Sequence, residues 1–393
     1  MTSPNIEIAI LYKEYFGQLV SLLLVRLPDL SVESAEDAVQ DAFADAAFLW
    51  PKQGIPRNQP GWLYTVCKNK CINILRKAGK NQDLSHAIGA SVYMEEIAGQ
   101  HLKDAQLQML AACCHPNLAP KVQVVVALKY VANLTVRNIA LQLGVQPDAV
   151  EKMLYRARQK IKEASLLLST GNRKDVEERL SVMHKVIYLI FSEGYLHGQE
   201  LAEEALILNK GLLDSRLCNA ETKALQALLL FHIARFPARF DQKGRAIELE
   251  NQDRTRWNAS LIRLAGQYLA DSKATFFSPY HLEAAIAAVH CSAHTFADTN
   301  WVAICTYYEA LLKIYPSPFA QINYATSLLY TGQAEKTYQI LSGLYTHAYF
   351  NKLPLLNLAL GKYFEQMGNK EEAQVYFKRA ENFLGGSCPD FSG

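Results

Sequence analysis

Apolar residues recur at helical spacing along almost the whole chain, and this period constrains the fold more than any other feature. Between Ser31 and Trp50, the residues Val32, Ala35, Val39, Phe43 and Trp50 share one side, while Glu33, Asp37, Asp41 and Asp45 recur every fourth position on another. Strand-like alternation is scarce, and no Asn-Gly or Asp-Gly pair marks a hairpin. The expected fold class is therefore all-α. With 393 residues, half of them hydrophobic and a fifth charged, the chain can bury cores without disulfide or metal staples. No apolar run approaches the ~20 residues of a membrane span. The start, Met1 to Glu7, has no basic segment leading into an apolar one, and eight cysteines are scattered over a long chain. These features lead us to expect a reducing, cytoplasmic location.

Proline and glycine punctuate the helical pattern. Residues 1–80 are expected to form a first domain: a helix over Ile6–Leu27, a second capped by Ser31, and a third from Trp62 to about Ala78. Pro51 to Gly61, with three prolines and two glycines, reads as a loop. The third helix is expected to bury Leu63, Val66, Cys67 and Ile74. Residues 81–105 read as a connector. Residues 106–165 form a second part, in which Pro120 opens a helix to Val131 and Thr135 caps a short helix ending at Leu143. Gly144 breaks that helix, and Pro147 starts the next. This last helix buries Val150, Leu154, Ala157 and Ile161, a short helix–turn–helix arrangement. Residues 166–393 carry many amphipathic helices. Near their end, Asn323–Gly332 aligns with Ala359–Gly368 at an offset of 36 residues, close to the ~34 residues of a tetratricopeptide repeat.

The net charge of +2 says little, but its distribution says more. Six acids and no base lie between Asp29 and Asp45. Five bases and no acid lie between Trp62 and Lys80, and again between Lys152 and Lys162. On the last helix, Ala149, Glu151, Lys152, Tyr155, Arg156, Gln159 and Lys160 face outward. Such a face can enter a major groove, or can simply be solvated. Trp62, Tyr64 and the cations around them can hold single-stranded DNA; equally, Trp62 can belong to the core. The acidic stripe is either a solvated face or a docking surface for a basic partner. His290 and His294 stand at i and i+4, as zinc ligands can, but no glutamate follows the first, and buried histidines account for them as well. There is no glycine-rich phosphate loop, no nucleophile elbow and no paired-carboxylate constellation, so neither an enzyme nor a metal or cofactor is expected.

The first 165 residues resemble the sigma-70 family of bacterial transcription initiation factors, in its small extracytoplasmic-function (ECF) type. The resemblance rests on Ala35-Glu36-Asp37-Ala38-Val39-Gln40-Asp41-Ala42-Phe43 and on Pro60-Gly61-Trp62-Leu63-Tyr64-Thr65-Val66-Cys67-Lys68-Asn69 running to Arg76-Lys77. It rests further on Ile139 to Val145, Val150 and Tyr155-Arg156-Ala157-Arg158. The remainder resembles the tetratricopeptide-like C-terminal extension of one ECF subgroup, through Tyr188-Leu189-Ile190-Phe191-Ser192-Glu193-Gly194-Tyr195, Glu250 to Trp257 and Tyr280 to His290. Three places depart from the family pattern: Asn73, where such factors often carry Asp; Asn138, where Glu would complete a capping box with Thr135; and Val145-Gln146-Pro147, which replaces the usual small polar residues before the recognition helix.

This resemblance implies a non-enzymatic protein with core RNA polymerase (β′ clamp and β flap) and promoter DNA as partners. Residues 1–80 would correspond to sigma region 2, 106–165 to region 4 and 166–393 to the extension. Glu36, Asp37, Gln40 and Asp41 would bind polymerase. Trp62, Asn69, Asn73, Arg76 and Lys77 would capture and melt the minus-ten element. Lys152, Arg156, Arg158 and Lys160 would read the minus-thirty-five element. The extension would regulate or bind a protein or peptide ligand. An alternative from another class is a one-component helix-turn-helix regulator whose tetratricopeptide-like domain senses a ligand.

Overall fold

The computed structural model describes residues 4–27, 29–79, 100–143, 145–164, 173–197, 199–241, 247–347 and 350–384. Among them helices dominate and no β-strand is formed, so the all-α expectation holds. The chain separates into two compact units, Met1–Leu217 and Cys218–Gly393.

The first unit runs α1 (Pro4–Arg26), α2 (Val32–Gln53), α3 (Gln59–Lys77), α4 (Gln100–Cys113), α5 (Pro120–Tyr130), α6 (Val136–Leu143), α7 (Pro147–Ala164), α8 (Arg173–His197) and α9 (Gln199–Asp214). Ser31 caps α2, its Oγ accepting from the Ser34 amide at 3.1 Å. All five residues expected on the inner face, Val32, Ala35, Val39, Phe43 and Trp50, are buried. The expected loop is shorter than its prolines suggested. α2 continues through Pro51 and stops at Gly54, which has a φ of 87° and donates to the Trp50 carbonyl. In the last turn, Pro51 forfeits little beyond its own amide bond. Asn58 then caps α3 by accepting from the Gly61 amide at 2.9 Å, so Pro60 and Gly61 already lie in the first turn.

The buried stripe of α3 is Leu63, Cys67, Cys71 and Leu75, with Tyr64 and Ile72 beside it. Ile74 is exposed, against expectation, although it lies only about 20° around the helix from the buried Cys67. α4 begins at Gln100, inside the expected connector; residues 80–99 lie outside the described residues. α1 packs on α2, α3 and α4, and it meets α5 at Gly17. A Cβ on Gly17 would lie 2.6 Å from the Val131 carbonyl oxygen, so only glycine permits this approach. The α8–α9 hairpin also belongs to this unit and packs on α4 and α5. The buried Arg179 donates to the Ala111 carbonyl at 3.2 Å. Gly194 lets α9 close on α8, because any Cβ there would collide with the Ala202 backbone.

The second unit runs α10 (Ala220–Ala234), α11 (Ala259–Ala270), α12 (Pro279–Ser292), α13 (Trp301–Ile314), α14 (Pro318–Tyr330), α15 (Ala334–Tyr345), α16 (Pro354–Gln366) and α17 (Lys370–Leu384), with a single-turn helix at Phe236–Arg239. α10 is apolar nearly all round and buried nearly all round. The 36-residue offset is structural. Pro318 and Pro354 open equivalent helices, and Gly332 and Gly368 follow them with φ of 79° and 81°. Ala325 is buried, and its counterpart Gly361 sits where a Cβ would strike the Phe377 ring.

The Glu250–Trp257 segment holds this second unit together. Arg254 Nη1 donates to the carbonyls of His290 (2.6 Å) and Ala293 (2.9 Å), tying down the C-terminal end of α12. Trp257 is buried, with the guanidinium groups of Arg254 and Arg235 at 4.7 and 5.5 Å from its ring. His281 accepts from the Ser278 amide through Nδ1, which leaves Nε2 to donate to the Ser272 carbonyl at 2.8 Å. His290 packs edge-on against Trp301, and burial holds its imidazole down at about 3, hence neutral. Among the described residues no group of three His, Cys, Asp or Glu is placed to hold a metal.

Candidate nucleic-acid interface

The helix-turn-helix is built from α6 and α7. Thr135 Oγ1 accepts from the Asn138 amide at 3.1 Å and so caps α6. Val150, Leu154 and Ala157 bury one side of α7, and Ile139 and Ala140 of α6 are buried beside them. The side chain of Ile161, expected on the same stripe, lies outside the described residues. Lys152, Arg156 and Lys160 are exposed on the opposite face, with Glu151, Tyr155 and Gln159, and Tyr155 is 64% exposed. Three of the four expected minus-thirty-five contacts therefore share a solvent-facing surface.

The fourth does not. Arg158 follows Arg156 by two residues, about 200° around the helix, and points inward. Its Nε donates to the Tyr130 hydroxyl at 2.7 Å and lies 3.4 Å from Glu33 Oε1, while Nη2 lies 3.7 Å from Glu36 Oε2. Lys129 Nζ reaches Glu36 at 4.0 Å. α2 and α7 are thus joined by an ion-pair cluster that sequence reasoning missed. Its members are scattered over more than 120 positions, and neither Lys129 nor Tyr130 stands out in a helical pattern.

On α2 the expected polymerase-binding residues divide in the same way. Asp37, Gln40 and Asp41 are exposed, whereas the Glu36 side chain is only 13% exposed. Burial pushes the Glu36 carboxyl above the ordinary range, against the pull of Lys129 and Arg158. Farther along, Asp45 and Asp41 face Lys70 of α3 at 2.9 and 3.8 Å. The hydrogen bond to Asp45 raises the Lys70 pKa. Lys70 is therefore turned toward α2, while Asn69, Asn73, Arg76 and Lys77 remain exposed along α3. Trp62 is half-buried, its ring edge-on to Trp50 at 5.4 Å. Part of the Trp62 ring therefore packs in the core and part stays open to solvent.

α6 carries a further set of polar contacts. Asn138 Nδ2 donates to Glu193 Oε1 at 2.8 Å, and Gln142 Nε2 donates to Glu193 Oε2 at 2.7 Å and to the Leu189 carbonyl at 3.2 Å. Glu193 is buried, at 4% exposure. The second unit has a small cleft of about 60 Å³ lined by His290, Phe296, Trp301, Asn323, Tyr330 and Lys362, among others.

Residues 11–81 match the model of sigma-70 region 2, and residues 108–161 match that of sigma-70 region 4. The chain belongs to the sigma-70 family. Residues 179–273 match a family of unknown function, DUF6596, so this sigma-70 protein carries a C-terminal extension. An uncharacterized protein of Rhizobium meliloti (strain 1021) is 31% identical over 374 residues, covering 89% of this chain and 86% of the relative. No solved structure matches. Membership of the sigma-70 family makes the protein a sigma factor or a related regulator, and its two sigma regions imply interaction with core RNA polymerase and promoter DNA. They are regions of a transcription initiation factor rather than of a catalyst. No described helix is long and apolar enough to cross a membrane.

Proposed function

We propose that the protein is a cytoplasmic sigma factor of the ECF type that binds core RNA polymerase and directs promoter-specific initiation. The observation that carries this reading is the separation of charge within one unit: exposed Asp37, Gln40 and Asp41 on α2, against exposed cations on two other helices, Arg76 and Lys77 on α3 and Lys152, Arg156 and Lys160 on α7. The acidic face grips the polymerase clamp. α3, with Trp62, Asn69 and Asn73, handles the opened minus-ten strand, where base capture costs a few kcal/mol that cationic contacts offset. α7 reads the minus-thirty-five duplex with Lys152, Arg156 and Lys160. Arg158 reaches that duplex only by leaving Glu33 and Glu36, and Glu36 reaches polymerase only by the same exchange.

In vitro transcription with purified bacterial core polymerase tests the proposal. Promoter-specific starts should appear when the chain is added, and their absence would refute it. Asp37→Lys with Asp41→Lys should abolish binding to core polymerase. The one-component regulator reading requires tight duplex binding without polymerase, which a gel shift with and without core enzyme detects. The second unit carries the cleft of about 60 Å³ described above. A cleft of this size suits a side chain of a protein or peptide partner.

A further inference from the structure

Ser192-Glu193-Gly194 lies within the Tyr188–Tyr195 stretch that carries the extension's resemblance to one ECF subgroup, yet polymerase binding and promoter contact leave it without a role. We infer that Glu193 is a positioning residue for minus-thirty-five reading, fixing α6 and through it the reading helix α7. This inference rests on the sigma-factor reading above and assigns a task to the beginning of the extension.

Asn138 and Gln142 stand one helical turn apart on a single face of α6, and each gives its amide to a different oxygen of the same carboxylate. One bond would leave α6 free to rotate about the contact. Two bonds a turn apart fix both rotation about the helix axis and translation along it. Gln142 also donates to the Leu189 carbonyl, one turn before Glu193 on α8, while its own Oε1 is buried without a partner. The Gln142 amide is therefore oriented entirely by α8. Gly194 allows α9 to close behind the carboxylate, so Glu193 is backed by packed helix rather than by solvent.

The same contact accounts for the departure at position 138. A glutamate there would complete the capping box, but it would place a second carboxylate against the buried Glu193. Asparagine keeps half of the cap, through its backbone amide and the Thr135 hydroxyl, and turns its side-chain amide toward the extension. α6 in turn packs on α7. Reading base edges demands placement to about 0.5 Å, and a buried carboxylate with two amide partners supplies that kind of rigid support.

The test uses the full-length chain with bacterial core RNA polymerase. One template is a promoter isolated by in vitro selection with the wild-type holoenzyme. The other is the same promoter with its minus-thirty-five element scrambled and its minus-ten element premelted as a bubble. Glu193→Ala should lower initiation about tenfold on the intact promoter, or ~1.4 kcal/mol, and leave the bubble template and polymerase affinity unchanged. Gln142→Ala should do the same more weakly. Glu193→Gln combined with Asn138→Glu rebuilds the bond with donor and acceptor exchanged, and should restore the intact promoter. Equal losses on both templates would reduce Glu193 to a merely structural residue and overturn the inference. No loss, or no rescue by the exchanged pair, would overturn it as well. A wild-type chain that initiates on neither template would remove the sigma-factor reading, and this inference with it.

Discussion

Two segments of the extension use their polar groups in opposite directions. Glu250–Trp257 turns inward on its own unit: Arg254 secures the end of α12, and Trp257 has two guanidinium groups against its ring. Ser192–Gly194 turns outward, onto a helix that belongs to sigma region 4. Both carry a distinctive sequence, so distinctiveness alone does not separate a residue that maintains a fold from one that couples two parts of a chain. The partner's address separates them. Arg254 finds its acceptors within its own helical array, whereas Glu193 finds its donors 51 and 55 positions upstream, across the boundary between matched families.

The sharpest way to break this contrast is Arg254→Ala. It removes two charge-assisted bonds to carbonyls and should cost about 3 kcal/mol. Hydrogen exchange should show protection lost in α12 and kept in α6. A matching loss in α6 would erase the distinction. Next in size is Gly17→Ala, which overpacks the α1–α5 approach and should cost about 2 kcal/mol. Denaturant unfolding measures it, and an unchanged midpoint would mean that the two helices separate readily. The Glu193→Ala effect, tenfold on initiation and selective for the intact promoter, follows.

The mildest prediction is a change of slope rather than a loss. Glu204 of α9 accepts from Gln106 of α4, and burial lifts its carboxyl to about 7. The native state therefore holds a proton that the unfolded chain has already released between the ordinary carboxylate range and pH 7. Stability should fall as pH rises through that window and level off above it. Glu204→Gln should flatten the melting temperature between pH 5.5 and 8, and an unaltered slope would place the titration elsewhere.

Local chemistry was legible in the sequence wherever one helix decides the outcome. The Ser31 and Thr135 caps, the buried face of α2 and the outward cations of α7 all follow from spacing. The reading failed where neighbours decide. Pro51 read as a breaker but falls in a last turn that tolerates it. Ile74 read as core from its place beside Cys67 on the helix, yet it is exposed. Arg158 stood among basic residues, and only its angle around α7 places it against Glu33 and Glu36. Asn138 looked like a lapse in a capping pattern, because its partner Glu193 is 55 residues away and no local period connects them.

The close approach at Gly17 has a geometric consequence for promoter engagement. The minus-ten and minus-thirty-five elements are named for positions twenty-five base pairs apart, or about 85 Å of duplex. A compact body the size of the first unit, residues 1–217, has a radius of gyration of about 17 Å, hence a width near 45 Å. While Val131 rests on Gly17 and Arg158 on Glu36, such a body covers roughly half that stretch. On the sigma-factor reading proposed above, straddling a promoter then entails prising the two regions apart, and that parting uncovers the Glu36 carboxylate.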